Sequence, residues 1–407
     1  MHKSLIKLLF IIFISCCLTT GMYAQVTSSP YSMFGLGIPE EQSTGYSKAM
    51  GGTGIGFMSD QYLNTQNPAS YSGLDSLLSI FEIGVFGKYT KYSTNKENQA
   101  LVNANLKYIN MGFRITPWLA TSFGFSPYSS IGYNINSNST LGGSILSFDK
   151  SYTGEGGVNQ IYLGGSVKVF KNLSVGINAA YLFGNVTHSE ASTSFSYSLK
   201  DVTYVSNFNI KYGLNYHFDI DKNNFCIGLI YTNAKTLITD NITTITTDNG
   251  TTNAKSRTHN YRIPEGLGAG LSFRKGFFHA GVDFERSMWK GISFDNPLVY
   301  ARNSDRISLG VEFPSLGLNK GTSRMIMYRF GAEYKGSPYV IQGTPINYYG
   351  MTFGAGLPLK GVVSILNLSL ELGQNGTISK GLFKETFVTM HLDFTLRALW
   401  FMKHKYE

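Results

Sequence analysis

The sequence has few charged residues for its length, and cysteine is almost absent once the N-terminal leader is set aside. Asp, Glu, Lys and Arg make up 14% of the 407 residues, whereas a soluble domain carries about 25%. Two of the three cysteines lie in the leader, so Cys226 remains alone and no internal disulfide is possible. After the leader, no apolar run is long enough for a membrane-spanning helix. These absences exclude a disulfide-stapled secreted domain and disfavour both a soluble protein and a helical membrane protein.

The N-terminus has the order of a secretory signal. Two lysines precede an apolar run from Leu8 to Leu18, and small residues then lead to Ala24. This order predicts a signal peptide over residues 1–24, cleaved after Ala24. A lipoprotein with an acylated Cys16 or Cys17 is the alternative. The formal net charge of +9 is spread along the chain without a basic run, so no nucleic-acid partner is predicted.

Residues 25–76 differ from everything that follows. They are rich in turns and contain Gly51, Gly52 and Gly54, followed by Asn67-Pro68-Ala69. They show no clean strand period, and their tight turns favour a compact plug rather than a mobile leader. We therefore predict a plug domain over residues 25–76.

From residue 77 onward, apolar and polar residues alternate with a period of two. In the clearest stretch, the even positions from Phe208 to Phe218 are apolar or aromatic, while Asn, Lys, Gly and His occupy the odd positions from Asn207 to His217. Such alternation over eight to fifteen residues places one face against lipid and the other against a wetter interior. A soluble β-sandwich explains the alternation but not the length of the strands. The pattern predicts an all-β fold: a transmembrane antiparallel β-barrel over residues 77–401 with a plug in its lumen.

The connections along this region alternate between short and long. Short turns are marked by pairs such as Thr116-Pro117 and Lys171-Asn172. The longer polar stretches are 92–104, 129–156, 186–201, 233–252, 287–304, 336–346 and 373–385. Bacterial barrels have short periplasmic turns and long external loops. This count predicts fourteen strands with both termini in the periplasm, including a long strand over residues 253–273 that Pro264 interrupts.

The C-terminal stretch predicts the closing strand. Phe394 lies on its apolar face, and Trp400 and Phe401 end it. A closing strand that ends in aromatic residues resembles the signal recognised by the barrel assembly machinery, which is therefore a predicted partner. Residues 402–407 form a predicted periplasmic tail.

The sequence offers no constellation for enzyme chemistry. It contains no G-x-S-x-G nucleophile elbow, and no pair of histidines has metal-ligand spacing. We predict neither an enzyme nor a cofactor. Acids on predicted lumen faces could line a polar path or bind cationic groups, but the favoured interpretation is that they are solvated lumen residues paired with Lys and Arg. These acids are Asp283, Glu285, Glu312, Glu333 and Glu371, with Arg274, Arg306 and Arg329 as candidate partners. Cys226 is predicted to point inward beside Gly228 in a structural role.

Taken together, these segments resemble the FadL family of outer-membrane transporters of hydrophobic compounds. The resemblance rests on AMGGTGIG (49–56) and NPAS (67–70), then on RIPEGLGAGLSF (262–273) and HAGVDFERSMW (279–289). It covers essentially the whole mature chain, and YRFGAEYK (328–335) is most similar to the branch found in Bacteroidota. It implies a protein of the outer membrane, in contact with its lipid, that takes up a hydrophobic small molecule such as a long-chain fatty acid.

The family implies plug displacement and sideways exit through a gap at a kinked third strand. Gly124 and Pro127 in the third predicted strand are the candidate lateral gate; alternatively, Pro127 simply begins an external loop. The rival function is an adaptor that docks a protein partner for secretion or surface assembly. A lipid-modifying enzyme is a distant third.

Overall fold

Long strands with alternating side chains build almost the whole molecule. The structure is a computed structural model, and it describes residues 29–76, 78–140, 147–258, 261–292, 299–315, 325–359 and 364–399. Its strands are β1 Ile38–Pro39, β2 Leu78–Ser93, β3 Asn98–Thr116, β4 Leu119–Thr140, β5 Ser147–Lys168, β6 Leu173–Ser192, β7 Tyr197–Ile220, β8 Asn223–Thr232, β9 Lys235–Thr236, β10 Thr239–Thr247, β11 Gly250–Thr258, β12 Arg262–Ile263, β13 Glu265–Lys275, β14 Phe278–Met288, β15 Val299–Ala301, β16 Ser304–Pro314, β17 Met327–Ile341, β18 Thr344–Pro358, β19 Ser364–Gly376 and β20 Lys384–Leu399.

Helices are few and short. An α-helix spans Gly45–Lys48, and 3₁₀ turns span Pro30–Met33, Pro68–Gly73 and Ser379–Gly381. None of the helices in the described residues is long and apolar enough to cross a membrane.

The wall is a closed antiparallel barrel of fourteen strands, as the alternation and the connections predict. In order around the wall these are β2–β8, β13, β14 and β16–β20, and β20 returns to pair with β2. The outward residues form a continuous apolar band; Phe208, Leu229, Leu271 and Phe353 are typical members, each more than a third exposed. Because a closed sheet pairs its backbone groups and presents apolar side chains outward, it satisfies the demands of a bilayer.

Several stretches predicted as long loops are strands instead. β4 and β5 extend through most of residues 129–156, and β6 and β7 meet in a tight turn within residues 186–201. Residues 239–258 form the hairpin β10–β11, which continues the sheet beyond β7. These extensions are rich in Ser, Thr and Asn and have no apolar face, because they project beyond the apolar band into water.

Pro264 interrupts pairing as predicted, but what precedes it is not part of the wall. β11 belongs to the projecting hairpin, and β12 pairs only with β9 among the described residues. After Pro264, β13 pairs directly with β8, from Gly266 opposite Thr232 to Arg274 opposite Asn224. The wall therefore closes beneath the projecting hairpin.

Residues 29–76 lie inside the barrel, and we call them the luminal segment. They contact inward-facing residues of several strands: the Tyr71 hydroxyl donates to Asn178 on β6, and the Gly54 amide donates to Asp283 on β14. Met50, Ile55, Leu63 and many of their neighbours are completely buried.

Candidate functional site

The wall has a seam between β3 and β4. Their pairing runs from Thr116 opposite Leu119 to Ile109 opposite Phe125 and ends there. Beyond that point, residues 98–106 and 108 of β3 still pair with β2, and β4 still pairs with β5 as far as Thr140. The two strands thus part above Phe125 although each keeps its other neighbour.

Both strands are irregular where the seam opens. In β3, Lys107 is the extra residue of a bulge, because Tyr108 lies opposite Gly84 and Leu106 opposite Val85. In β4 the register shifts between Pro127 and Ser129, which leaves Tyr128 as the extra residue. Bulges bend a strand and end regular pairing. The candidate gate residue Gly124 is still paired on both sides, while Pro127 lies two residues past the last β3–β4 pair.

The luminal segment occupies the free edge of β4. We call residues 36–42 the strap. Within it, β1 pairs with Ser129 and Ser130 of β4. The amide of Glu40 donates to the Tyr128 carbonyl at 2.9 Å, and Gln42 Nε2 donates to the Pro127 carbonyl at 3.1 Å. The strap therefore satisfies backbone groups of β4 that face β3 in the lower half of the seam.

An ion pair joins the strap to the other side of the seam. The Lys107 ammonium lies 3.6 Å from Glu40 Oε2, and the hydroxyl of Ser130 donates to Glu40 Oε1 at 2.6 Å. Burial alone would raise the pKa of Glu40, but Lys107 and the Ser130 hydroxyl hold that pKa below its usual range. Glu40 is thus held as a carboxylate between β3 and β4.

Upstream of the strap, the chain crosses the end of the barrel that carries the projecting hairpin. The Ser29 amide donates to Gly132 of β4, while the Ser29 hydroxyl contacts Glu385 of β20. Tyr31 packs with Ile346 and Leu382 near the tips of neighbouring hairpins. The first described residue therefore lies at the opposite end of the barrel from the end of β20. The prediction that both termini are periplasmic stays a prediction, because the termini lie outside the described residues.

An internal cavity of about 420 Å³ lies against the seam. Its lining includes Asn103 and Lys107 of β3, Tyr128 of β4 and most of the strap. Eight further aromatic side chains line it, and most of the other lining residues are polar or charged; the aromatic residues are Tyr31, Phe86, Tyr108, Tyr162, Trp289, Tyr339, Tyr348 and Phe387. The volume is within the range of small-molecule sites, about 300–1,000 Å³. The lining combines rings with amides and charges, so it suits a molecule with apolar surface and some polar character.

Buried ion pairs, several of whose members line the cavity, anchor the luminal segment. The Lys48 ammonium lies 2.7 Å from Glu41 and 2.9 Å from Glu371, and it also approaches Glu333. Arg306 contacts Glu41 and Glu333 at 2.9 and 2.7 Å. Burial would raise the pKa of Glu41, but Lys48 and Arg306 hold it well below its usual range. These contacts connect the luminal segment to β16, β17 and β19.

Other predicted lumen acids also have partners, though not always the predicted ones. Arg329 is completely buried and contacts Glu312 at 2.6 Å. Asp283 instead accepts hydrogen bonds from the backbone amides of Gly54 and Ile55. Arg274 donates to the Met58 carbonyl rather than to an acid. Cys226 is buried and lies opposite Ser272 in the register of β8 and β13.

The predicted plug glycines lie where the backbone approaches the wall. Gly51 and Gly52 have φ values of +68° and +76°, a region that favours glycine. A Cβ on Gly51 would lie 2.7 Å from the Ala332 backbone nitrogen, and one on Gly52 would meet the Arg306 guanidinium. Gly54 approaches Asp283 through its amide.

The Asn67-Pro68-Ala69 turn contacts the opposite side of the wall. Asn67 Nδ2 donates to the Leu214 carbonyl and to Asn215 Oδ1 on β7, and its Oδ1 accepts from the Ala69 amide. Pro68 packs directly against Gly176 of β6 and Gly213 of β7, where any side chain would collide with it. In this fold these residues attach the luminal segment to the wall. At the chain's end, Phe394 lies in β20, whereas Trp400 and Phe401 lie outside the described residues.

The comparison with protein-family models settles the family. The BamG family model matches residues 5–407. The chain belongs to the BamG family. No curated protein sequence matches this BamG-family chain. The predicted FadL-like barrel is confirmed at the level of the fold, and the Bacteroidota branch stays a prediction.

Three of the solved structures similar to this BamG-family chain are channels or transporters of aromatic hydrocarbons. The toluene transporter TbuX of Ralstonia pickettii is 12% identical with a TM-score of 0.60, and the match covers 88% of this chain and 98% of that one. The toluene transporter TodX of Pseudomonas putida is 15% identical with a TM-score of 0.60, covering 89% and 99%. The monoaromatic hydrocarbon channel CymD is 16% identical with a TM-score of 0.56, covering 88% and 97%. At these identities the likeness concerns the fold alone.

Sequence reasoning missed the residues that close the seam. Glu40, Gln42 and Lys107 carry no motif, and they meet only because the strap runs along β4. The one available signal was Pro127, which interrupts a strand that otherwise alternates regularly.

Proposed function

We propose that this chain is an outer-membrane channel that admits hydrophobic small molecules and releases them sideways through the seam between β3 and β4. The observation that carries the proposal is the seam itself, with a cavity on its inner side and lipid-facing residues on its outer side. An apolar solute gains about 0.8 kcal/mol for each CH₂ removed from water. Exit into the bilayer therefore costs less than exit into the periplasm.

In this mechanism the strap is the moving part. It is attached to β4 by a two-residue strand and a few hydrogen bonds, and to β3 by the ion pair of Lys107 with Glu40. The fixed end of the strap is Glu41, which buried ion pairs join to Lys48 and Arg306. Residues 44–73 are attached far more extensively, through the buried ion pairs and the Asn67 contacts. Release of the strap from Pro127–Ser130 opens the seam without removing the rest of the luminal segment. The hydrocarbon specificity of similar channels makes toluene a suitable probe.

A disulfide across the strap tests this mechanism. Ile38 and Ser130 are direct register partners, so the double variant Ile38→Cys/Ser130→Cys has the backbone spacing for a disulfide. We expect the oxidised variant to lose at least nine-tenths of toluene uptake into proteoliposomes, and reduction to restore it. The matched control is Ile242→Cys/Lys255→Cys, a register pair in the projecting hairpin. Uptake by an oxidised strap variant equal to that of the reduced form would show that the seam is not the exit.

The second candidate is an adaptor for the assembly of other barrels. The name of the family, BamG, points to the barrel assembly machinery. The buried anchoring of Lys48 and Arg306 also suits a barrel whose lumen stays occupied.

The same locked variant separates the two functions. An adaptor with a fixed lumen would complement a deletion strain fully in the oxidised state, as judged by the amount of folded outer-membrane barrels. It would also co-purify with the assembly machinery from native membranes. A channel requires the reduced state for its function and requires no such complex.

A further inference from the structure

Two lysines lie together on the outer surface where β2 meets β20. Lys91 lies opposite Thr386, and Lys384 lies opposite Ser93, so the lysines are diagonal neighbours across the strand pair. Lys91 shares its face with Tyr89, and Lys384 shares its face with Val388; both apolar side chains point outward. Diagonal neighbours are about 7–8 Å apart at Cα, so two flexible lysine side chains can reach one ligand.

Neither lysine has an ion-pair partner within the described part of the chain. The nearest acids in sequence are unsuitable: Glu385 points into the lumen and is buried, and Glu97 lies on the β2–β3 turn. At two other places on this rim, the outward position beyond the apolar residues carries an acid or a neutralised pair. Glu265 lies two residues before Leu267 on β13, and Arg286 on β14 pairs with Asp305 on β16.

The lysines lie immediately above the apolar band. Tyr89, Val388 and Met390 are each about half exposed directly beneath them. A ligand held by both ammonium groups can therefore extend an acyl chain over these side chains without leaving the wall. Basic residues at the edge of a bilayer attract anionic lipid headgroups.

We propose that Lys91 and Lys384 form a binding site for the phosphate of a membrane lipid, with its acyl chain lying over Tyr89, Val388 and Met390. The site lies on the outside of the wall and is separate from the cavity and the seam. It recognises a phosphate that carries an acyl chain, whether on a phospholipid or on a phosphorylated glycolipid.

Native mass spectrometry of the detergent-purified barrel measures this binding. The probes are phosphatidylglycerol, a diphosphorylated glycolipid, diacylglycerol with matched chains, and inorganic phosphate. We expect Lys91→Gln/Lys384→Gln to bind one or both phosphorylated lipids at least tenfold more weakly than the wild type. Diacylglycerol binding should be unchanged, and the relative loss for the two phosphorylated lipids identifies the natural source.

The matched control is Lys222→Gln/Lys255→Gln, which removes the same charge from exposed positions far from the β2–β20 rim. It should bind within twofold of the wild type, and Lys91→Arg/Lys384→Arg should retain binding. The proposal is overturned if the control loses as much affinity as the test variant, if the test variant loses none, or if equimolar inorganic phosphate displaces the lipid.

Discussion

Lys48 is the residue on which the anchoring of the luminal segment depends. It is a buried cation within reach of three carboxylates, those of Glu41, Glu333 and Glu371. The Tyr348 hydroxyl also contacts Glu371. In such a cluster the attraction between opposite charges offsets the free energy lost when each charge leaves water. Removal of one partner leaves the remaining buried charges uncompensated and destabilises the fold.

Removal of the Lys48 charge should therefore destabilise the protein severely. Lys48→Met keeps the length of the side chain but leaves the carboxylates short of a cation. We expect a loss of about 3–5 kcal/mol in the free energy of unfolding, measured by urea titration in detergent. Arg286→Met is the control, because Arg286 pairs with Asp305 on the solvent-exposed rim; there we expect a loss of about 0–1 kcal/mol. Equal losses in both variants would show that the buried network is not an anchor.

At the scale of the element, the strap combines weak backbone pairing to β4 with one ion pair across the seam, and it is held at its end by the ion pairs of Glu41. Because Lys107 lowers the pKa of Glu40, their pair stabilises the closed strap above the unfolded pKa of Glu, about 4.3. That contribution is lost as the pH falls through the lower pKa of the closed form. Acid should therefore release the strap, and neutral pH should keep it closed.

Substitution of Lys107 should move this release to higher pH. In Lys107→Met, burial of Glu40 is opposed by fewer charges, so the pKa of Glu40 rises and the carboxylate is lost at a higher pH. We expect hydrogen exchange of residues 36–42, corrected for intrinsic rates, to increase on acidification at a higher pH in the variant than in the wild type. Lys150→Met, which removes an exposed partner of Glu190, should leave the profile unchanged. Coincident profiles for Lys107→Met and the wild type would argue against the Lys107–Glu40 ion pair as the contact that holds the strap closed.

At the scale of the whole molecule, the sequence predicts the features that neighbouring residues determine and misses the contacts between residues far apart in the chain. The outward face from Phe208 to Phe218 and the fourteen strands follow from a period of two and from turn residues, which are properties of neighbouring positions. The same pattern does not predict how far β4 and β5 extend beyond the apolar band, because strands that lie in water need no apolar face. The strap is the extreme case: β1 is two residues long and pairs with residues about ninety positions away. No local pattern records such a contact.

The closure of the wall beneath the hairpin β10–β11 leads to a prediction for the whole barrel. β8 pairs with β13 along nine residues, so the ring of fourteen strands does not pass through the hairpin. Leu237 and Ile263, which flank the hairpin, are buried in an apolar cluster with Val205 and Leu182 and should keep the ends in place.

Replacement of residues 239–258 by a short Gly-Ser linker should therefore leave a folded barrel that migrates as a compact band in unheated gels. Its midpoint of thermal unfolding should lie within a few degrees of the wild type, because the removed side chains are mostly exposed. If the shortened chain fails to form a compact band, the hairpin takes part in closing the wall, and the direct pairing of β8 with β13 is insufficient on its own.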